Sequence, residues 1–239
     1  MQILRSALRF PTDLLCPERC AACDALVHPI DLLCAACLVA TRRLGPPECP
    51  GCGAPRTTDA RCALCAPPDA PIRTARAWAA YDGSTGPSPV ARAIARLKYQ
   101  GARRLGRRFA TVLTSRVSTA DAALVIPVPL HPRRLRARGF NQSAVIARHL
   151  ARDLGRPVGL GAVVRVRDTP SQVGSTTVAA RAANVAGAFA VPHPATVRDR
   201  PILLVDDVWT SGATVRAVAR CLRDAGATAV DVVTIARVL

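Results

Sequence analysis

Ile202-Leu203-Leu204-Val205-Asp206-Asp207-Val208-Trp209-Thr210-Ser211-Gly212-Ala213-Thr214 is the stretch on which the fold turns. Four consecutive apolar residues read as a strand buried on both faces, because a half-exposed strand would alternate. Two carboxylates follow at its carboxyl end. The turn Thr210–Thr214 then opens a helix over Ala213–Asp224, whose apolar face carries Ala217, Val218, Cys221 and Ala225. The first N–H groups of a helix lack acceptors and its dipole favours negative charge, so such a turn suits a phosphate. The candidate phosphate-binding residues are therefore Thr210, Ser211, Gly212, Ala213 and Thr214. Gly212 permits close backbone approach, and the three hydroxyls add donors. A phosphate loop alone repels carboxylates, so Asp206 and Asp207 call for another partner. Ribose hydroxyls donating hydrogen bonds, with Mg²⁺ nearby, meet that need. A bare Asp-Asp would read as an ordinary turn; the thirteen-residue pattern argues against that.

Outward from this junction the chain alternates strand and helix. Thr74–Tyr81 reads as a strand and Pro87–Gln100 as a helix. A helix over 102–117 sets Leu105, Phe109, Val112 and Leu113 on one face, and Arg103, Arg104, Arg107 and Arg108 on the wet face. Ala122–Ile126 is a compact buried strand, followed by a Pro- and Arg-rich loop over 127–139. A helix over Phe140–Leu154, closed by Gly155, and a short strand near Val163–Val166 come next. A polar stretch, a helical segment to about Val185 and a last strand over Ala229–Ala236 complete the series. Apolar strands alternating with amphipathic helices predict a parallel, doubly wound α/β sheet with helices on both faces.

The N-terminal quarter is different. Nine of the ten cysteines lie between Cys16 and Cys65. Eight form Cys-x₂-Cys knuckles: Cys20/Cys23, Cys34/Cys37, Cys49/Cys52 and Cys62/Cys65. Two knuckles complete a tetrahedral Cys₄ site, and nearly equal gaps favour two consecutive ribbons over a cross-brace. Little apolar sequence separates the cysteines, so two Zn²⁺ would supply the ordering free energy. Cys16 is a spare thiol, read more simply as buried than as a ligand. Residues 1–15 read as a short amphipathic helix in which Arg5 and Arg9 interrupt any secretory core. No apolar run is long enough to span a membrane, so a cytoplasmic chain with reduced thiols is expected. The Pro-rich segment 67–73 marks a linker between a unit at 1–66 and one at 74–239.

The formal net charge is +17, and eight zinc-bound thiolates with two Zn²⁺ would lower it to about +13. Polyphosphate, nucleic acid or solubility would each account for it. Lys98 is the only lysine and reads as a point-charge phosphate contact or a chance survivor. His131, Arg133, Arg134, Arg136 and Arg138 crowd the loop after the second buried strand. Each reads about equally as a ligand for diphosphate oxygens or as solvated charge. Asn141 and Gln142 suit capping of the next helix. Residues 167–181 resemble a mobile cover or a plain connection. Cys221 reads as packing, and His28, His149 and His193 fall in no pattern.

The 202–214 stretch resembles the signature of the type I phosphoribosyltransferases. That resemblance implies that Asp206 and Asp207 hold the ribose hydroxyls and that residues 210–214 hold the 5′-phosphate. Thr210 stands where hypoxanthine-type members carry an Asp, which disfavours that base. Over the whole chain the sequence resembles the ComF family, linked to bacterial competence and DNA uptake. Leu97-Lys98-Tyr99, Pro127-Val128-Pro129, Arg138-Gly139-Phe140-Asn141-Gln142, Arg167 through Gln172, and Arg181 with Asn184 carry it, beside the knuckles. The implied fold is a type I phosphoribosyltransferase-like parallel sheet behind a small Cys₄ zinc-ribbon module.

The implied activity is Mg²⁺-dependent phosphoribosyl transfer from phosphoribosyl diphosphate, with Lys98, Arg134 and Arg138 on the leaving diphosphate. The alternative is a non-catalytic protein that binds single-stranded DNA or DNA-uptake proteins. The shortage of aromatic stacking platforms weighs against that alternative.

Overall fold

The computed structural model describes residues 17–65, 70–81, 86–117, 122–168 and 185–239. Cys16, the N-terminal segment, most of 167–181, and with it Arg181 and Asn184, lie outside them, as does the helical segment expected before Val185. In chain order the strands are β1 (Thr74–Ala80), β2 (Leu124–Pro127), β3 (Val164–Arg165), β4 (Phe189–Ala190), β5 (Pro201–Trp209) and β6 (Ala229–Arg237). The helices are α1 (Ala35–Val39), α2 (Pro89–Tyr99), α3 (Leu105–Thr114), α4 (Pro132–Arg138), α5 (Gln142–Asp153) and α6 (Ala213–Asp224).

β1, β6, β5 and β2 form one parallel sheet in that order. β5 and β6 are central, and their apolar residues point into two separate cores. On one face Leu203, Val205, Val233 and Ile235 meet α2, α3 and α5 through Leu97, Phe109, Ile146 and Leu150, all fully or almost fully buried. On the other, Ile202, Leu204, Val230 and Val232 meet α6 through Val215, Val218 and Leu222. The expected α/β class and helices on both faces are what the structure has.

Three local readings change. β5 does not end at Val205: it pairs with β6 through Asp206↔Thr234, Val208↔Ala236 and Trp209↔Arg237. Both aspartates therefore stand on a strand, where adjacent residues point to opposite faces. The loop at 127–139 contains α4, with Pro132 in its first turn, His131 accepting from the Arg133 N–H, and Gly139 left-handed at its end (φ 76°). None of its residues is buried, so apolar periodicity gave no signal. The short strand near 164 pairs with β4 in a separate antiparallel ribbon instead of joining the sheet.

The cysteine-rich segment clasps the sheet. Its first half, with Cys20, Ala21, Leu32, Leu33 and Cys37, packs into the α2–α3–α5 core. Its second half, with Cys49, Cys52 and Cys65, packs into the α6 core. Between the halves, residues 42–44 run antiparallel beside β1, with Leu44 N to Trp78 O at 2.9 Å and Ala80 N to Arg42 O at 2.8 Å. At the opposite edge residues 157–159 bond to both sides of Val125 in β2.

Arginines bolt the halves down. Arg96 forms a two-pronged ion pair with Asp24 at 2.5 and 2.6 Å. Glu48, 2% exposed, takes Arg116 at 2.5 Å and Arg76 at 3.1 Å. Arg108 departs from its expected place. It is 3% exposed and reaches Glu18, the Arg19 carbonyl and the Leu32 carbonyl at 3.1, 2.9 and 3.1 Å. Arg103, Arg104 and Arg107 are exposed as expected. Arg108 differs because the first ribbon covers its side of α3 and offers carbonyls to a cation that would otherwise face water.

Candidate functional site

The junction of β5 and α6 lies at the carboxyl edge of the sheet, where open α/β sheets bind ligands. Gly212 precedes α6 with φ 76°, a conformation that favours glycine. A Cβ there would lie 2.5 Å from Trp209 Cζ2 and 2.8 Å from Arg216 Nη1. Thr210 is exposed and Ser211 and Thr214 are half-buried, while Gly212 and Ala213 are buried. Ser211 Oγ accepts from the Ala213 N–H at 3.4 Å.

The two aspartates have different surroundings. Asp207 is 5% exposed and binds Lys98 Nζ at 2.8 Å and Gln142 Nε2 at 2.8 Å. Gln142 Oε1 in turn accepts from Arg138 Nη1 at 2.7 Å, and the Arg138 guanidinium lies 5.3 Å from the centre of the Tyr99 ring. Asp206 is half-buried; its Oδ1 accepts from Ser143 Oγ at 3.0 Å and from the Asp207 N–H at 2.9 Å. Burial pushes the Asp206 carboxyl up to about 7, and the Asp207 charge adds to it, against Ser143, the Asp207 N–H and Lys98, which pull it down. Burial pulls the Lys98 ammonium down, but the charges of Asp207 and Asp206 more than offset this and hold it above its usual value.

The structure thus brings Asp206, Asp207, Lys98 and Arg138 into one network, with Lys98 on a carboxylate. Arg134 is half-buried on α4. The sequence reading missed Ser143, and it took Gln142 for a capping group. Asn141 caps α5, accepting from the Ser143 and Ala144 N–H groups, and its own amide bonds the Val128 carbonyl at 2.9 Å. Gln142 and Ser143 face the aspartates. The signal was a run of three side chains able to hydrogen-bond at a helix start, where one suffices for a cap.

The cysteines gather into two quartets, Cys20/Cys23/Cys34/Cys37 and Cys49/Cys52/Cys62/Cys65, in the consecutive pairing that the spacing favours. Within each, all four sulfurs lie within 4.8 Å of one another. Sulfurs 2.3 Å from a tetrahedral Zn²⁺ stand about 3.8 Å apart. Cys23 and Cys34 are at 3.6 Å, and Cys52 and Cys62 at 3.9 Å. Soft thiolates at tetrahedral spacing fit zinc, and backbone N–H groups already face them, such as Cys62 N to Cys49 Sγ at 3.2 Å. Burial raises the Cys49 thiol, but those N–H groups win and bring it to about 6, while burial pushes Cys65 up to about 12. Among the described residues no helix is long and apolar enough to cross a membrane.

Two family descriptions match the chain: a double zinc ribbon domain over residues 12–66 and a phosphoribosyl transferase domain over residues 141–239. The DNA utilization protein YhgH of Escherichia coli (strain K12) is 31% identical over 218 residues, covering 87% of this chain and 91% of the relative. Competence protein F of Haemophilus influenzae is 31% identical over 62% of this chain and 68% of its own length. Competence protein ComFC of Bacillus subtilis is 24% identical over 84% of this chain and 82% of its own length.

Proposed function

The chain belongs to the ComF family, and on that premise we propose that it binds phosphoribosyl diphosphate with Mg²⁺ at the β5–α6 junction and transfers the phosphoribosyl group to an acceptor. The observation that carries this is the pairing of a half-buried Asp206 with a glycine-pivoted turn at the carboxyl edge of a parallel sheet. In the proposal, N–H groups and hydroxyls of Thr210–Thr214 take the 5′-phosphate. Asp206 accepts from the ribose hydroxyls, and Asp207 joins it on the sugar as Lys98 shifts to the leaving diphosphate. Arg134 and Arg138, on the helix after β2, supply further positive charge there. Loss of diphosphate would leave positive charge at C1, which Asp206 would help to stabilise.

Calorimetric titration of phosphoribosyl diphosphate with Mg²⁺ tests the binding. The expected result is saturable binding that the Asp206→Asn, Asp207→Asn double variant loses by at least a hundredfold. Unchanged affinity in that variant refutes the assignment. Diphosphate release on incubation with candidate acceptors tests transfer; binding without release under any acceptor would leave a binding protein and refute the enzyme.

A second reading, single-stranded DNA as ligand, is favoured by a separate groove. A cavity of about 780 Å³ lies between α3, α4, α5 and β3, lined by Arg103, Arg104, Arg148 and Arg165 with Leu135 and Phe140. Among the described residues, no carboxylate lines it. Arg103 packs over the Phe140 ring at 4.8 Å and bonds the Gly139 carbonyl at 3.3 Å, so Arg104 and Arg148, both exposed, are the cations best placed for phosphates. The name of the Escherichia coli relative, a DNA utilization protein, supports a role involving DNA.

A further inference from the structure

The second cysteine quartet lies directly behind the turn assigned to the phosphate, and one side chain touches both. Arg216 sits one turn into α6, its N–H on the Gly212 carbonyl at 2.9 Å. Its Nη1 donates to the Ser211 carbonyl at 2.8 Å, and its Nη2 lies 3.9 Å from Cys65 Sγ. Its guanidinium covers the Trp209 ring at 5.3 Å. Trp209, 3% exposed, is also covered by Arg237 at 5.9 Å, and Arg237 bonds the Cys52 carbonyl. Two arginines thus connect two residues of one quartet with the indole beneath Gly212.

We propose that Arg216 is a positioning residue that couples the second cysteine quartet to the phosphate turn, so that zinc at that quartet sets the turn's affinity for a phosphate monoester. The inference rests on the phosphate assignment above and goes beyond it by giving that turn a metal-dependent support. The reason lies in peptide geometry. In a trans peptide the carbonyl and the following N–H point in opposite directions. Holding the Ser211 carbonyl on Arg216 therefore turns the Gly212 N–H away from Arg216, outward to an incoming anion. Released, the same peptide can present its carbonyl oxygen instead and repel that anion. Four thiolates around one Zn²⁺ carry a net charge of −2, which holds the guanidinium where it reaches Ser211. A guanidinium has donors enough to serve sulfur and carbonyl together while its face lies on the indole. Without metal the quartet loses its fixed geometry, and Arg216 loses its anchor.

The test combines zinc counting, ribose 5-phosphate calorimetry and the emission of Trp209 made the sole tryptophan by Trp78→Phe. Arg216→Met should keep two zinc ions per chain and bind ribose 5-phosphate at least tenfold more weakly, with Arg216→Lys recovering part of the loss. Cys65→Ser in the Trp78→Phe background should lose one zinc ion and shift the Trp209 emission. Unchanged affinity in Arg216→Met overturns the proposal. So does loss of zinc from that variant, because Arg216 would then be holding the quartet and not the turn. If the wild-type chain fails to bind ribose 5-phosphate, the phosphate assignment falls. The coupling is then judged on Trp209 alone, and an emission unmoved by Cys65→Ser refutes it.

Discussion

Replacing Lys98 with methionine removes one charge from a buried pair and keeps a chain of similar length and girth. Lys98 and Asp207 are 2.8 Å apart, with side chains 20% and 7% exposed. With an effective dielectric of 20, a pair at that distance attracts by about 6 kcal/mol, before the desolvation of both groups is subtracted. Truncating one partner of such a buried pair leaves the other uncompensated, at about 3–5 kcal/mol. Gln142 still donates to Asp207 at 2.8 Å in the variant, which puts the expected loss near the lower end, about 3 kcal/mol. Asp206 beside it makes the unpaired charge worse. Asp207→Asn should restore most of the loss in the double variant, since an amide needs no counter-charge. Urea unfolding of the wild type, both single variants and the double variant at pH 8 gives the cycle. Lys98 is held above its usual value, so its contribution is complete below the unfolded value of 10.5 and fades as pH rises through the higher folded one. A loss under about 1 kcal/mol in Lys98→Met, or a strictly additive cycle, would refute the reasoning.

Asp206 titrates near 7 in the folded chain against 3.8 ordinarily, so the folded state holds the extra proton and the group lowers stability as pH rises from about 4 to 7. Asp206→Asn should therefore stabilise the unliganded chain more at pH 8 than at pH 4, which thermal melts at the two pH values would reveal. A ligand that needs the carboxylate should release protons on binding near pH 7, seen as a buffer-dependent heat; equal heats in two buffers would exclude that role. Gly212→Ala should cost about 2 kcal/mol for the left-handed backbone and the contact with Trp209, and calorimetry should show ribose 5-phosphate affinity falling with it. Arg108→Met should cost about 3 kcal/mol by stranding Glu18 and two ribbon carbonyls, with faster proteolysis within residues 17–45. Arg104→Ala with Arg148→Ala should flatten the salt dependence of single-stranded DNA affinity by about 1.4 in slope if both meet phosphates.

The junction itself was legible because its signals are local. Apolar run, acids, small polar turn and amphipathic helix lie in consecutive order, and α6 spans Ala213–Asp224 as expected. The cysteine quartets were legible for the same reason, since knuckle spacing is a property of a few residues. What stayed hidden depends on residues far apart in sequence. Nothing near Asp207 announces that Lys98 and Gln142 close on it, and the extension of β5 to Trp209 depends on β6 running beside it to Arg237. Arg108 was read as solvated because the wheel of α3 contains no trace of the ribbon that covers it. α4 escaped detection because a helix with no buried face has no apolar stripe to find.

Among the described residues, 42–44 beside β1 and 157–159 beside β2 already pair part of each border of the sheet. Unpaired strand borders invite another molecule to add its own strand, the first step toward insoluble assemblies. The cysteine-rich segment therefore covers part of the β1 border as well as carrying the two cysteine quartets. A shortened chain begun at residue 74 would uncover the β1 border and the apolar surfaces of both cores together. Clumping is the expected fate of that fragment, however sound its own fold.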